Sequence, residues 1–194
     1  AGEMGDNLTA IDLGTDRTAT AISAGYYHTC ALLEGGDVKC WGEGNQGQLG
    51  QDSKDDFGKV ADTTDSEADS SWPMASLDAI DLGTDRTATA ISAGKQHTCA
   101  LLEGGDVKCW GVNLSGQLGQ GTSGGTEASP INIGDGAGEM GDNLTAIDLG
   151  TGRTATAISA GYYHTCALLD SDGDGDGDEV KCWGEGSQGR LGQD

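Results

Sequence analysis

Residues 21–51 read AISAGYYHTCALLEGGDVKCWGEGNQGQLGQ, and closely related stretches recur at 90–120 and 157–193. The preceding segment, AIDLGTDRTATAISAG at 10–25, returns unchanged at 79–94 and nearly unchanged at 146–161, which gives offsets of 69 and 67 residues. Such self-similarity indicates three repeats of about 67 residues. In repeat proteins each unit buries its apolar face against its neighbours, so these repeats are expected to stack.

The repeats also divide the chain into segments. Repeat 1 spans 1–51, an acidic loop excursion 52–78, the core of repeat 2 79–120, a Gly/Ser-rich connection 121–136, and repeat 3 with its acidic hairpin insertion 137–194. The large apolar residues of the excursion include Phe57, Trp72 and Met74, so it is either a spacer or a docking strand. The leader AGEMGDNLT at 1–9 recurs at 137–145, so we expect further repeats to flank this chain.

Within a repeat the pattern predicts only β-strands. TATAISAG at 18–25, HTCALL at 28–33 and VKCWG at 38–42 read as three short strands, and LTAIDLGT at 8–15 as a fourth. Glu34-Gly-Gly-Asp37 supplies a hairpin turn between the second and third. The predicted fold class is therefore all-β, with three four-stranded, propeller-blade-like repeats that form part of a larger propeller or stacked array.

Composition excludes several function classes. The 194 residues contain 32 Asp and Glu against 10 Lys and Arg, for a net charge of −22, which disfavours nucleic-acid binding. With 35 glycines and only 30 Leu, Ile, Val and Phe, a conventional helical core is not expected. The sequence contains no apolar run of the roughly 18 residues that a membrane span needs, and no secretory h-region opens the sequence.

The stretches at 24–50, 93–119 and 160–192 resemble the repeat of the regulator of chromosome condensation family, also called alpha-tubulin suppressor-like repeats. The shared pattern is A-G-x-x-H-[ST]-x-A-L, then D-G-x-V, then W-G-x-N-x-x-G-Q-L-G. This resemblance implies a β-propeller, commonly of seven blades, which three repeats alone do not close.

The two cysteines of each repeat and the phrase GEMGDNLTAIDLGTGRTA resemble secreted, repetitive members of the family, including flagellar-hair (mastigoneme) proteins of green algae. This resemblance implies a structural unit of an extracellular or cell-surface assembly, such as a fibre, an appendage or a surface array. Its partners would be other copies of the chain or neighbouring repeats, stacked head to tail. The alternative function is a propeller-type module that binds a protein or ligand.

The six cysteines pair naturally within repeats, as Cys30 with Cys40, Cys99 with Cys109, and Cys166 with Cys182. If the hairpin loop is 34–36, Cys30 lies directly opposite Cys40, and cross-strand partners approach disulfide distance. Buried free thiols and a zinc site are the alternatives, although CxxC knuckles are absent. An even cysteine count in a glycine-rich chain favours disulfides and an oxidising compartment.

The third hairpin carries an acidic insertion that has the spacing of a calcium loop. Ca²⁺ takes six to eight oxygen ligands, often from alternate loop positions. The candidate ligands are Asp170, Asp172, Asp174, Asp176, Asp178 and Glu179. The alternative is a solvated acidic tip that charge repulsion keeps extended.

Other candidate residues are possible glycosylation sites or structural residues of the repeats. Asn7, Asn113 and Asn143 lie in N-x-[ST] sequons, which are glycan acceptors in a secreted eukaryotic protein or coincidences. His28, His97 and His164 occupy one repeat position, as do Trp41, Trp110 and Trp183. We expect the histidines to bond a neighbouring strand and the tryptophans to pack between blades. A ligand-stacking tryptophan ring is the alternative.

Catalysis has little support in this sequence. The chain contains no phosphate loop, and its one match to G-x-S-x-G, at 121–125, lies in the Gly/Ser-rich connection and not between a strand and a helix. Its carboxylates lack the apolar surroundings that raise a catalytic pKa. We therefore expect a non-enzymatic protein. The even cysteine count favours a location outside the cell.

Overall fold

The computed structural model describes residues 4–58, 74, 77–121, 125–126 and 129–193. Nine strands form three antiparallel sheets, which we call blades. Blade 1 contains β1 (Ala19–Ala24), β2 (His28–Leu33) and β3 (Val38–Gly42); blade 2 contains β4 (Ala88–Ala93), β5 (His97–Leu102) and β6 (Val107–Gly111). The pair β7 (Gly125–Thr126) and β8 (Ser129–Pro130) follows, and then blade 3, with β9 (Thr154–Ala160), β10 (His164–Asp170) and β11 (Glu179–Gly184).

Each blade has three strands where four were predicted. The segment expected to be the fourth strand lies across the outer strand of the preceding blade and touches it through one backbone hydrogen bond. Ile80 donates to the Val38 carbonyl at 2.8 Å, and Ile147 donates to the Val107 carbonyl at the same distance. The segment therefore connects blades instead of extending one sheet.

The outer hairpins of blades 1 and 2 have the predicted three-residue loop. Leu33 donates to the Asp37 carbonyl at 2.8 Å, and Cys30 is the cross-strand partner of Cys40. The register places all six cysteines in disulfides within their own blade: Cys30–Cys40, Cys99–Cys109 and Cys166–Cys182. In blade 3 the insertion lengthens the tip without changing this register.

The apolar core lies between the blades. One cluster joins blades 1 and 2 around Leu32, Leu49 and Trp110, and a second joins blades 2 and 3 around Leu101 and Leu118. Burial of these side chains supplies the main stabilisation, roughly 25 cal/mol for each Å² of apolar surface removed from water. Blade 2 is covered on both faces, so β5 and β6 are buried throughout.

The first strands of successive blades run side by side. The Ser23 hydroxyl accepts a bond from the Ala93 amide at 2.9 Å, and the Ser92 hydroxyl accepts one from the Ala160 amide at 2.8 Å. This arrangement brings the turns after β1, β4 and β9 to one end of the arc of blades. Short 3-10 helices lie at Gly5–Asn7, Gly141–Asn143 and Ser187–Gly189.

Much of the acidic excursion lies outside the described residues, including Trp72. Its first part is described, and there Phe57 forms an antiparallel bridge with Gly42 at the end of β3. Ile133 forms the equivalent bridge with Gly111 after blade 2. Among the described residues, no helix has the length and apolar character needed to cross a membrane.

Candidate functional site: the tyrosine face and the acidic hairpin

A polar clasp joins each blade to the next. The His28 Nε2 atom lies 2.8 Å from the Thr98 hydroxyl, which donates its single proton to the Gln48 carbonyl at 2.9 Å. His28 must therefore donate from Nε2, which leaves its Nδ1 atom unprotonated. The same clasp joins blades 2 and 3 through His97, Thr165 and Gln117, at 3.0 and 2.9 Å.

Burial keeps the clasp histidines neutral. It lowers the pKa of His28 to about 4 and that of His97 to about 3, because the interior disfavours the charged imidazolium. Trp110 and Trp183 donate to the same carbonyls of Gln48 and Gln117 as the threonines do, at 3.1 and 2.9 Å. The predictions of bridging histidines and inter-blade tryptophans are confirmed at both of these junctions.

A cluster of aromatic side chains and one cation lies on the turns at one end of the arc. We call it the tyrosine face, and it consists of Tyr26, Tyr27, Lys95, Tyr162 and Tyr163. The Tyr26 and Tyr162 ring centroids lie 6.1 Å apart, so the two rings form a contact between blades 1 and 3. Tyr26, Tyr27 and Tyr162 are exposed, and Tyr26, Lys95 and Tyr162 line a shallow depression of about 250 Å³.

Lys95 lies at the centre of the tyrosine face. Its Nζ atom is 4.4 Å from the Tyr162 ring centroid and 4.8 Å from that of Tyr163, and it donates to the Tyr163 hydroxyl at 2.6 Å. Hydrogen bonding with Tyr162 and then Tyr163 raises the pKa of Lys95, so the lysine remains charged. Exposed phenols around a fixed cation can stack on a partner and hydrogen-bond it.

Glycines in the turns allow the tyrosine face to assemble. A Cβ atom on Gly25 would lie 2.5 Å from the Gly94 carbonyl oxygen, and one on Gly94 would lie 2.5 Å from that of Gly161. These contacts explain why the turns of successive blades approach closely enough for residues 26, 95 and 162 to meet.

The tyrosine face was not predicted from the sequence. All four tyrosines of the chain occupy the two variable positions between the Ala-Gly and His-Thr-Cys motifs. Variation at two positions inside an otherwise constant repeat is the signal that could have identified it. The side chains at these positions face out of the stacked blades, where packing does not fix their identity.

The acidic hairpin brings together three of the six predicted calcium ligands. Carboxylate oxygens of Asp170, Asp172 and Asp174 lie within 4.8 Å of one another. Asp170 anchors the loop, because its carboxylate accepts backbone bonds from Asp172, Gly173 and Gly175 at 2.7–3.1 Å. The bonds from Gly173 and Gly175 lower its pKa, so the carboxylate stays ionised.

The other three predicted ligands have different roles in the structure. Asp178 accepts bonds from the amide and hydroxyl of Ser171, and Glu179 pairs with Arg153 at 2.5 Å. Asp176 lies outside the group of three. Three hard carboxylates on one loop suit Ca²⁺ chemically, and water or the remaining carboxylates would complete the ligand shell.

The sequons differ in accessibility. Asn7 and Asn143 are exposed, whereas the Asn113 side chain is 1% exposed and its oxygen accepts a bond from the Leu118 amide at 3.1 Å. A glycan on Asn113 does not fit this conformation, so that part of the prediction is corrected by burial.

A family model for the regulator of chromosome condensation (RCC1) repeat matches residues 19–48, 88–117 and 155–190. The chain contains three RCC1 repeats. Each RCC1 repeat match begins at or next to the first strand of a blade and runs through its disulfide hairpin. The third match is longer because the acidic hairpin insertion falls inside that RCC1 repeat.

Two curated relatives of this chain are longer than it is. It is 28% identical over 232 residues to the Ultraviolet-B receptor UVR8 of Arabidopsis thaliana, covering 97% of this chain and 47% of that protein. It is 31% identical over 174 residues to the Regulator of chromosome condensation of Drosophila melanogaster, covering 89% and 28% respectively. The chain therefore spans less than half the length of these curated relatives.

A solved structure shares the fold of these RCC1 repeats. Prp20p from Saccharomyces cerevisiae superimposes with a TM-score of 0.56 at 21% identity, over 90% of this chain and 34% of that one. The similarity supports the assignment of the three sheets as propeller blades.

Proposed function

We propose that this chain is a non-catalytic, protein-binding repeat module of an extracellular or cell-surface assembly. The tyrosine face is the observation that carries the binding role, because it gathers exposed aromatic rings from two blades around a fixed lysine. The solved structure of Prp20p is described with its binding to Gsp1p and histones, which supports protein binding as a use of this fold.

The disulfides support the proposed location. Every cysteine is paired within its own blade, and such bonds persist in oxidising environments outside the cytosol. Exposed Asn7 and Asn143 would then carry glycans. Secretion of the chain from eukaryotic cells, followed by enzymatic deglycosylation and mass measurement, tests both statements.

Partner retention tests the binding role. The wild-type chain, the Tyr26→Ala/Tyr162→Ala variant and an Ile131→Ala control would each be immobilised and exposed to extracellular proteins of the source cells. We expect a protein that wild type and control retain and the tyrosine variant loses. Equal retention by all three chains would contradict a role for the tyrosine face.

A structural role in a fibre or surface array is the second candidate function. It is favoured by exposed apolar residues on the two outer blades, such as Ile22 of blade 1 and Val180 of blade 3. Electron microscopy of the concentrated chain would separate the two candidates, because a regular axial repeat supports the array and compact particles oppose it.

Ca²⁺ is the proposed ligand of the acidic hairpin. Asp170, Asp172 and Asp174 would hold it, and the ion would neutralise carboxylates that otherwise repel one another in the loop. Its role would be to stiffen blade 3.

A further inference from the structure

The leader sequence occurs twice in the chain in opposite environments. Residues 1–13 and 137–149 are identical, yet Met140 is 5% exposed and Leu144 2%, whereas Met4 is 75% exposed and Leu8 61%. The difference therefore comes from what each leader contacts. Residues 137–149 show how the leader sequence docks on a pair of blades.

The docked leader lies across the groove between blades 1 and 2. Its Met140 side chain belongs to the core cluster of Ile80 and Trp110, and its methyl group lies close to Gly50. The Gly141 amide donates to the Asp81 carbonyl at 3.0 Å.

Polar side chains around the same groove hold the leader in place. Lys108 donates to the Gly141 carbonyl at 3.0 Å, and Asp142 accepts bonds from the amide and hydroxyl of Thr84. The Asp52 carboxylate also accepts bonds from the backbone amides of residues 138–140.

The same groove is open one blade further along. It has a volume of about 560 Å³ and lies between blades 2 and 3. Its lining repeats the docked groove position by position, with Gly119 for Gly50, Ile147 for Ile80, Trp183 for Trp110, Lys181 for Lys108 and Asp148 for Asp81. Thr151 also stands at the position of Thr84, and one anchor differs, because Gly121 replaces Asp52.

The exposed leader already has the docked backbone. Both copies form the 3-10 helix Gly-Asp-Asn, with φ of +67° at Gly5 and +68° at Gly141. Leu8 donates to the Gly5 carbonyl at 3.0 Å, as Leu144 does to Gly141 at 3.2 Å. A preorganised segment loses little conformational entropy on binding.

We propose that the open groove between blades 2 and 3 binds residues 4–13 of a second copy of this chain, which adds its blade 1 head to tail after blade 3. Met4 then enters the pocket beside Trp183, and Lys181, which already donates to the Leu149 carbonyl at 2.9 Å, reaches the Gly5 carbonyl. This inference rests on the assembly role proposed above and names its contact.

The continuation also pairs two exposed residues. Val38 and Val107 are buried where Ile80 and Ile147 cross them, whereas Val180 is 66% exposed and Ile11 53%. In the proposed contact the Ile11 amide donates to the Val180 carbonyl, as the two earlier isoleucines do. Such a heterologous contact propagates unless its rotation closes a ring.

Complementary variants test this contact. The leader variant Met4→Asp/Leu8→Asp keeps the groove, and the groove variant Val180→Asp keeps the leader; all three residues are exposed, so each variant should fold. Ile131→Asp is the matched control, since it places the same charge at an exposed apolar residue outside both surfaces. Circular dichroism and non-reducing electrophoresis would verify folding and disulfides.

Sedimentation velocity over a concentration series gives the readout. We expect wild type and control to self-associate, each variant alone to associate at least tenfold more weakly, and a one-to-one mixture of the variants to form heterodimers that do not extend. Wild type that stays monomeric at all concentrations, or variants that associate like wild type, would overturn the inference. The tyrosine variant should self-associate normally, so failure of the binding role is distinguishable from failure of this contact.

Discussion

The Thr98 hydroxyl has two functions in one position, since it accepts from His28 of one blade and donates to the Gln48 carbonyl of that same blade. Its own backbone belongs to the next blade, so the hydroxyl is a direct inter-blade bond. The clasp histidines could be predicted as scaffold residues because they repeat at one position. Their partner could not, since Thr98 lies 70 residues away along the chain.

Replacing Thr98 with valine should lower the free energy of unfolding by about 1–3 kcal/mol, the range for leaving buried polar groups unpaired. The expected reason is that the His28 N–H then has no acceptor in the interface. Urea denaturation measures the loss. Thr89→Val is the matched control, because Thr89 is exposed in the same blade, and equal stabilities for the two variants would contradict the clasp.

The clasp histidines should also make stability depend on pH. Their pKa values in the fold, about 4 for His28 and about 3 for His97, lie below the unfolded value of about 6.5. As the pH falls from 6.5 to 4, these histidines become protonated in the unfolded chain but stay neutral in the folded chain. Each histidine should therefore lower stability by about 1.4 kcal/mol per pH unit in that window.

Denaturation midpoints measured from pH 7.5 to 4.5 check this direction. Imidazole proton shifts in NMR spectra give an independent check, because neither His28 nor His97 should titrate above pH 5. A clear titration of either ring near pH 6.5 would show that it is not buried in the clasp.

The outer hairpin is the element that the sequence predicts best. Its two strands, its loop and its cysteine register depend on residues within about 15 positions of one another, so local turn chemistry decides them. The connecting segment was assigned wrongly because alternating apolar residues suit a sheet strand and a segment lying across another blade equally. Apolar residues are buried in both cases, so their pattern in the sequence does not distinguish a sheet strand from a segment that lies across a blade.

The disulfides should differ in their effect on stability according to burial. Cys99 and Cys109 are fully buried in blade 2, whereas Cys166 and Cys182 are partly exposed in blade 3. Loops this short are stabilised by about 2–3 kcal/mol in the chain-entropy model. Serine pairs at Cys99/Cys109 should therefore cost at least this amount and more than serine pairs at Cys166/Cys182.

Thermal denaturation of the two double-serine variants gives the comparison. The double-serine variant of Cys30 and Cys40 is a further reference. An equal or reversed order would mean that loop length, 16 against 10 residues of separation, outweighs packing.

The acidic hairpin should depend on its neighbouring carboxylates for Ca²⁺ binding. Asp172→Asn/Asp174→Asn should abolish Ca²⁺ binding, because it removes two of the three neighbouring carboxylates, whereas Asp176→Asn should change the affinity less than about threefold. Titration calorimetry on the full chain measures this, and we expect dissociation constants of about 10⁻⁴–10⁻³ M, the range of extracellular modules. An absence of heat at millimolar Ca²⁺ for wild type would leave a solvated acidic tip.

Across the whole molecule, charge opposes compaction. The net charge of −22 on 194 residues creates self-repulsion that salt screens over about 10 Å at 0.1 M. The melting temperature should therefore rise between 20 and 300 mM NaCl, and self-association should strengthen in parallel. A melting temperature that falls with salt would show that the visible ion pairs, such as Arg153 with Glu179, outweigh the repulsion.

The arc of blades was predictable from the repeat period, but the surfaces were not. Tyr26 and Tyr162 are 136 positions apart and meet only because the turns of three blades converge. The two leaders have one sequence and two environments, so no local pattern could separate them. Both features depend on which blades are neighbours in the folded molecule. The sequence of a single repeat does not contain this information.

The disulfide in each blade also sets how the molecule would respond to tension. The bond ties the two outer strands together, so pulling on the chain ends extends a released blade only outside the cysteine loop. In a repeat of 69 residues, 10 are held behind the bond, so the remaining residues have an extended length of about 200 Å at roughly 3.5 Å per residue. Under load the arc would lengthen in steps of this size while each hairpin stayed closed, and reducing agents would add a short final extension to each step.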